Sequence, residues 1–164
     1  MTTSMKIKVG FGYDVHQLAD GLDLWLGGVK FEHTKGIVAH SDGDVLIHAI
    51  CDALLGAANL RDIGFHFPNN DPTWAGADSK KLLAEVCRMI REKGWEISNV
   101  DASLAAEQPK INPRIPEMQS ALAQAMGISE DDVSLKATTN EKLGYLGREE
   151  GINAYAVALI LKNI

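Results

Sequence analysis

Residues 40–56 read HSDGDVLIHAICDALLG, and the helix that starts inside this stretch decides the fold. Asp44, His48 and Asp52 follow one another at intervals of four. On an α-helix a step of four turns the face by only about 40°, so the three polar groups form one narrow stripe. Val45, Leu46, Ile47, Ile50, Ala53, Leu54 and Ala57 cover the remainder. A helix that is apolar nearly all round is a buried one. Taking carboxylates and an imidazole into such a setting costs free energy unless they are paired, hydrogen-bonded or metal-bound. The compensating partner must come from elsewhere in the chain.

Upstream, residues 6–16 alternate. Ile7, Val9, Phe11, Tyr13 and Val15 point one way, and Lys6, Lys8, Gly10, Gly12, Asp14 and His16 the other. This predicts a strand with one wet or functional face, on which the two glycines keep the approach to Asp14 and His16 open. LDLWLGGVKF (22–31) reads as a hairpin turning at Gly27-Gly28, and residues 32–43 as a loop leading to Asp44 as helix N-cap. Downstream, LRDIGFHFPNNDPTWAGADSKK (60–81) is a polar surface loop, mobile without ligand, of the kind that carries function. Asp78 or Ser79 caps a second helix with Leu82, Leu83, Val86, Cys87 and Ile90 on its apolar stripe, and Gly94 stops it. WEISNVDASLAAE (95–107) predicts a second long strand. Asn112-Pro113 opens a third helix in which Ile115, Met118, Leu122 and Met126 face a core before Gly127. Asp132–Thr138 is a third strand, with Val133, Leu135 and Ala137 on one side. GINAYAVALILK (151–162) is apolar in both alternate sets, so it is either a strand covered on both faces or a short buried helix. Double coverage in so small a domain points to a subunit interface. The order fits an α+β fold: a single domain with a mixed β-sheet and helices packed on one face, the other face left for a partner.

With 164 residues, 46% apolar and 23% charged, the chain suffices for one domain with a real core, here residues 6–164 after a short N-terminal extension, 1–5. A net charge of −6 argues against a nucleic-acid or membrane-surface binder, which needs a basic patch. The two cysteines, Cys51 and Cys87, fall within helical patterns without a CxxC and read as buried thiols in a reducing compartment. No apolar run approaches the roughly 18 residues of a membrane span, and MTTSMKIKV lacks a signal peptide's hydrophobic stretch. The expectation is a soluble, cytoplasmic protein.

Asp14 and His16 share a strand face roughly 7 Å apart. With His48 they make a three-ligand site that leaves one coordination position vacant, the catalytic pattern for zinc. Asp44 or Asp52, one turn from His48, would then hold its other ring nitrogen. ATTNEKLG (137–144) suits phosphate oxygens and a hard cation such as Mg²⁺. It equally suits an ordinary helix start, with Thr139 or Asn140 as N-cap and Glu141 in the first turn. EQPKINP (107–113) is a loop with one cation, Lys110; Arg148 beside Glu149 and Glu150 is a charge cluster; His33 and His66 have no assignable partner. The same three ligands would serve a mononuclear zinc hydrolase using Asp42 or Asp44 as general base. They would also serve an oligomeric binding protein stapled by metal, although a structural zinc normally closes with four protein ligands.

Together, GYDVHQL (12–18), AHSDGDVLIHAICDALLGAANLRDIG (39–64), GADS (76–79), NVDASLAAEQPKI (99–111) and KATTNEKLGYLGREEGI (136–152) resemble the 2-C-methyl-D-erythritol 2,4-cyclodiphosphate synthase family of the non-mevalonate isoprenoid pathway. The resemblance runs from about Lys6 to the C-terminus. It implies a homotrimer with active sites between subunits, and a divalent transition metal, zinc in this reading, on Asp14, His16 and His48. A second ion, Mg²⁺ or Mn²⁺, would be bound through Glu141 to the substrate diphosphate. The implied reaction converts 4-diphosphocytidyl-2-C-methyl-D-erythritol 2-phosphate to the cyclic diphosphate and CMP. The cytidine pocket maps onto the stretch from Ala106 to Ile111, with Pro109 and Lys110 in it, and onto Ala137, Thr138 and Thr139. Transition-state stabilisation maps onto His40 and Thr139, and the methylerythritol phosphate end onto Ser41, Asp62, Ile63 and Gly64. Tyr145, Arg148 and Glu150 would face a central channel that takes isoprenoid diphosphates. One departure is Asn69, which follows FP where many family members carry an acidic residue.

Overall fold

The computed structural model describes residues 4–164. Its elements are β1 (Met5–Asp20), β2 (Leu24–Leu26), β3 (Val29–Phe31), β4 (Lys35–Ile37), α1 (Val45–Ala57), α2 (Ile63–His66), α3 (Ser79–Glu92), β5 (Glu96–Ala105), α4 (Ile115–Met126), β6 (Val133–Thr138), α5 (Gly144–Gly147) and β7 (Gly151–Asn163). The main sheet has the order β4-β1-β7-β5-β6, with β5 and β6 parallel and the other neighbours antiparallel. The helices lie on one face, as the order of elements predicted, and the last segment is the strand of the two alternatives. No helix among the described residues is long and apolar enough to cross a membrane.

Helix α1 is the hub, packed on β1 and β7 with eleven of its residues buried. Its N-cap is Asp44, whose carboxylate accepts from Ile47 N at 3.1 Å, Gly27 N at 2.9 Å and Gly28 N at 2.7 Å. Both glycines have positive φ (60° and 77°), the backbone that a tight two-residue hairpin requires. Their two successive N–H groups bind the carboxylate that starts the helix. The β2–β3 hairpin is thereby anchored to α1.

The strand faces of β1 are the reverse of the sequence expectation. Gly10 and Gly12 do not keep a face open; the backbone of α1 fills it. A Cβ on Gly10 would lie 1.8 Å from the Ala53 carbonyl oxygen, and one on Gly12 1.8 Å from that of Ala49. Bare glycines opposite Ala49, Ala53 and Ala57 let the helix settle directly on the strand. Ile7, Val9, Phe11, Tyr13 and Val15 point away from the helices, and each is more than 40% exposed. Tyr155 and Val157 of β7 join them, in register with Tyr13 and Phe11.

Other boundaries follow local signals. Asp78 caps α3 by accepting from Lys80 N, and Gly127 ends α4 in the left-handed conformation. The segment read as loop over 32–43 contains β4, which pairs with a β1 that continues to Asp20. The 60–81 segment contains α2 and a 3₁₀ turn at Pro72–Trp74. Cys51 and Cys87 are free and buried; burial pushes both thiols up, Cys87 to about 12.

Candidate functional site

The contact of Gly12 with Ala49 sets the site. Two and four residues further along the same face of β1 stand Asp14 and His16, and beside Ala49 on α1 stands His48. Because nothing separates strand from helix here, the three side chains converge. Asp14 Oδ2 lies 3.0 Å from His16 Nε2 and 3.2 Å from His48 Nδ1, and the two ring nitrogens are 3.3 Å apart. A tetrahedral zinc with bonds of about 2.0–2.1 Å sets its ligand atoms about 3.3 Å apart. One carboxylate oxygen and two imidazole nitrogens at these spacings fit such an ion, and all three can be brought within one coordination sphere. Burial pushes the Asp14 carboxyl up, but hydrogen bonds and charge from His16 and His48 outweigh it and hold Asp14 at about 2. Burial pulls His48 down, while the hydrogen bond and charge of Asp14, with added charge from Asp44 and Asp42, more than reverse it, so His48 is raised.

The far nitrogen of His48 meets neither Asp44 nor Asp52, contrary to expectation. His48 Nε2 lies 3.1 Å from the Ser79 hydroxyl, at the start of α3. Asp44 is committed to its three N–H donors, and Asp52 accepts from Ile63 N at 2.9 Å, anchoring α2. Burial raises both carboxyls, Asp44 to about 6 despite its donors. Ser79 carried no signal beyond a capping role. His66, to which no partner could be assigned, lies 2.6 Å from the Leu60 carbonyl through Nε2.

Around the triad is a cleft lined by His40, Ser41, Ile63, Gly64 and Asn69 together with Asp14, His16 and His48. Asp62 does not line it; it is the N-cap of α2, accepting from Phe65 N, one residue before the lining Ile63. A second cleft opens at the carboxyl ends of the parallel strands β5 and β6. Ala106, Pro109, Lys110, Ile111, Ala137, Thr138 and Thr139 all line it. So does Glu107, which falls within the segment expected there but was given no role of its own. Its Oε1 accepts from Asn140 N at 3.0 Å and Lys142 N at 2.9 Å, gripping a turn in which Glu141 and Lys142 have positive φ. The helix start read at Thr139 or Asn140 is this turn instead, and α5 begins only at Gly144, with no side-chain cap.

The two clefts share no lining residue. Glu141 is exposed on its turn. Tyr145 lines neither cleft but a shallow third one with His16 and Glu150, and Arg148 is paired with Glu150 at 2.8 Å. Within one chain, the residues assigned to metal and to nucleotide therefore stand apart, while His16 borders those assigned to the channel.

Sequence and structure comparisons agree on what this arrangement is similar to. The YgbB family pattern matches residues 7–161. A Cytophaga hutchinsonii protein named 2-C-methyl-D-erythritol 2,4-cyclodiphosphate synthase is 74% identical over 158 residues, covering 96% of this chain and 99% of that one. The bifunctional IspDF of Campylobacter jejuni superposes with a TM-score of 0.93 at 40% identity, covering 98% of this chain, which spans only 44% of that longer protein. A 2C-methyl-D-erythritol-2,4-cyclodiphosphate synthase in its CDP-bound form superposes with a TM-score of 0.87 at 35% identity, over 93% of this chain and 99% of that one. This chain belongs to the YgbB family, the 2-C-methyl-D-erythritol 2,4-cyclodiphosphate synthases.

Proposed function

We infer that this chain converts 4-diphosphocytidyl-2-C-methyl-D-erythritol 2-phosphate to 2-C-methyl-D-erythritol 2,4-cyclodiphosphate and CMP, in the non-mevalonate route to isoprenoid precursors. The observation that carries the reading is the convergence of Asp14, His16 and His48, with ligand atoms 3.0–3.3 Å apart, in a chain of this family. An oxygen of the 2-phosphate attacks the β-phosphorus, a new P–O–P bond closes the ring, and the bond from that phosphorus to the CMP oxygen breaks. The attacking phosphate is already ionised, so no general base is needed. The demand is to hold repelling anions together and to neutralise charge on the leaving group. A divalent ion on the triad, zinc in this proposal, and Mg²⁺ or Mn²⁺ held through Glu141 supply that positive charge.

The chain's own residues do the positioning. His40 and Thr139 donate hydrogen bonds to the phosphoryl group in transfer. Ser41, Asp62, Ile63 and Gly64 hold the methylerythritol phosphate, an assignment supported by three of them lining the triad cleft with His40. The β5–β6 cleft takes the cytidine, in keeping with the CDP bound by the solved relative. Hydrolysis by a metal-activated water finds no free carboxylate base in the residues considered for it. Asp42 accepts from Ser79 N at 2.8 Å and from Asp44 N at 3.1 Å, and Asp44 accepts from three backbone amides.

The functional unit in this proposal is a homotrimer, working in the cytoplasm, with each active site completed across a subunit boundary. Two features support it: the triad and nucleotide clefts are separate within one chain, and the sheet face opposite the helices is apolar and uncovered. Tyr145, Arg148 and Glu150 border that same face, since the Tyr145 hydroxyl donates to Asn153, whose amide reaches Tyr13 and Tyr155. In the trimer they face a channel suited to an isoprenoid diphosphate. Incubating the purified protein with the cytidylyl substrate and Mg²⁺ should give CMP and a cyclic diphosphate in equal amounts by phosphorus NMR. A linear phosphate monoester in their place would overturn the reading.

A further inference from the structure

His48 has two ring nitrogens, and the metal site can use only the one that carries no proton. Nδ1 faces Asp14 Oδ2 at 3.2 Å, and Nε2 faces the Ser79 hydroxyl at 3.1 Å. Left to this pair alone, the proton of a neutral ring belongs on Nδ1, because a hydrogen bond to a carboxylate is roughly twice as strong as one to a neutral oxygen. A proton there would occupy the lone pair that the metal needs. The surroundings of Ser79 oppose this. Ser79 is fully buried at the first turn of α3. Its backbone N–H donates to Asp42 Oδ2 at 2.8 Å and its hydroxyl donates to Asp42 Oδ1. A serine hydroxyl has one proton to give, and a carboxylate only accepts. With that proton directed at Asp42, Ser79 Oγ offers His48 nothing but a lone pair, and its partner must be an N–H.

We propose that Ser79, backed by Asp42, is a positioning residue for the metal centre: it holds His48 in the Nε2–H tautomer, so that a bare Nδ1 joins Asp14 and His16. The inference rests on the metal reading above for its purpose, but the placement of the proton can be measured without any metal. Asp42 is the second member of this relay rather than a catalytic base. The pairing also explains why GADS (76–79) must reach the HSDGD segment: Asp42 N donates to the Ala77 carbonyl and Gly76 N to that of His40, seating Ser79 over the histidine ring.

The test uses metal-free protein labelled with ¹⁵N-histidine, at a pH where the ring is neutral. Long-range ¹H–¹⁵N spectra should place the His48 proton on Nε2 in the unmodified protein and move it to Nδ1 in Ser79→Ala. Zinc affinity of Ser79→Ala, measured by competition with a chelator, should fall about 10- to 100-fold. A proton found on Nδ1 in the unmodified protein overturns the proposal and needs no variant to fold. So does a Ser79→Ala protein that keeps Nε2–H and full zinc affinity. If neither protein binds zinc, the metal reading fails, and the ¹⁵N shifts still decide where the proton sits.

Discussion

Asp44, His48 and Asp52 share one helical stripe, yet each meets the cost of burial through a different partner. Asp44 takes the two amides of the Gly27-Gly28 turn and the Ile47 amide, His48 takes Asp14 and Ser79, and Asp52 takes the Ile63 amide. The stripe is three separate solutions rather than one network. Asp44 gives a pH prediction with a definite sign. Burial raises its folded value from 3.8 to about 6, so the unfolded chain gives up this proton first as pH rises. The contribution of Asp44 is whole below about pH 4 and is lost on passing through pH 6, by up to about 3 kcal/mol. Asp44→Asn removes that titration but sets an NH₂ against a backbone donor, at a cost of about 1–3 kcal/mol at every pH. Urea denaturation of both proteins from pH 4 to 7 should show the deficit of the variant narrowing as pH rises. A gap that stays constant or widens would contradict the burial argument.

At the scale of elements, the decisive contact is the bare one between β1 and α1. Glycines at 10 and 12 against alanines at 49, 53 and 57 bring helix backbone onto strand backbone, and the triad forms beside that contact. Gly12→Ala would place a methyl group 1.8 Å from the Ala49 carbonyl oxygen, where only movement of the whole helix relieves the clash. Overpacking against backbone should cost about 3 kcal/mol or more. The predicted result is a large drop in denaturation midpoint together with loss of tight zinc binding, because the shift separates His48 from Asp14 and His16. Gly56→Ala, with no contact nearer than 3.9 Å, is the control and should be near neutral on both measurements. Equal tolerance of the two changes would refute this account of how the site is built.

Across the whole molecule, one sheet face is covered by helices and the other presents Ile7, Val9, Phe11, Tyr13, Val15, Tyr155 and Val157 to solvent. A contiguous apolar face of this kind marks an association surface. Phe11 is 63% exposed and sits in its middle, paired with Val157. In the proposed trimer, Phe11→Glu would bury an unpaired carboxylate at each interface, at about 3–5 kcal/mol apiece. Light scattering should find single chains with unchanged far-UV circular dichroism, and synthase turnover should vanish because each site lacks its neighbour. A monomeric Phe11→Glu protein with full turnover would show that one chain suffices.

The sequence by itself determined the start of α1 at Asp44 and of α3 at Asp78 and the ends of α3 and α4 at Gly94 and Gly127, and it named the three residues whose side chains converge, because capping and four-residue periodicity are local; the starts read at Asn112-Pro113 and at Thr139 or Asn140 fall instead at Ile115 and Gly144. It pointed to the residues lining the β5–β6 cleft only through family resemblance; nothing in EQPKINP is distinctive as a string. Tertiary structure decided which face of β1 lies inside. Alternation defines two faces but not their direction, and here the inner face is made of glycines, which carry no hydrophobic signal because their role is to be absent. It also decided that Ser79 and not an aspartate holds His48, and that Glu107 grips the Glu141 turn. Those pairings join residues 31 and 33 apart, and only the packing of α3 on α1 and of β6 beside β5 brings them together.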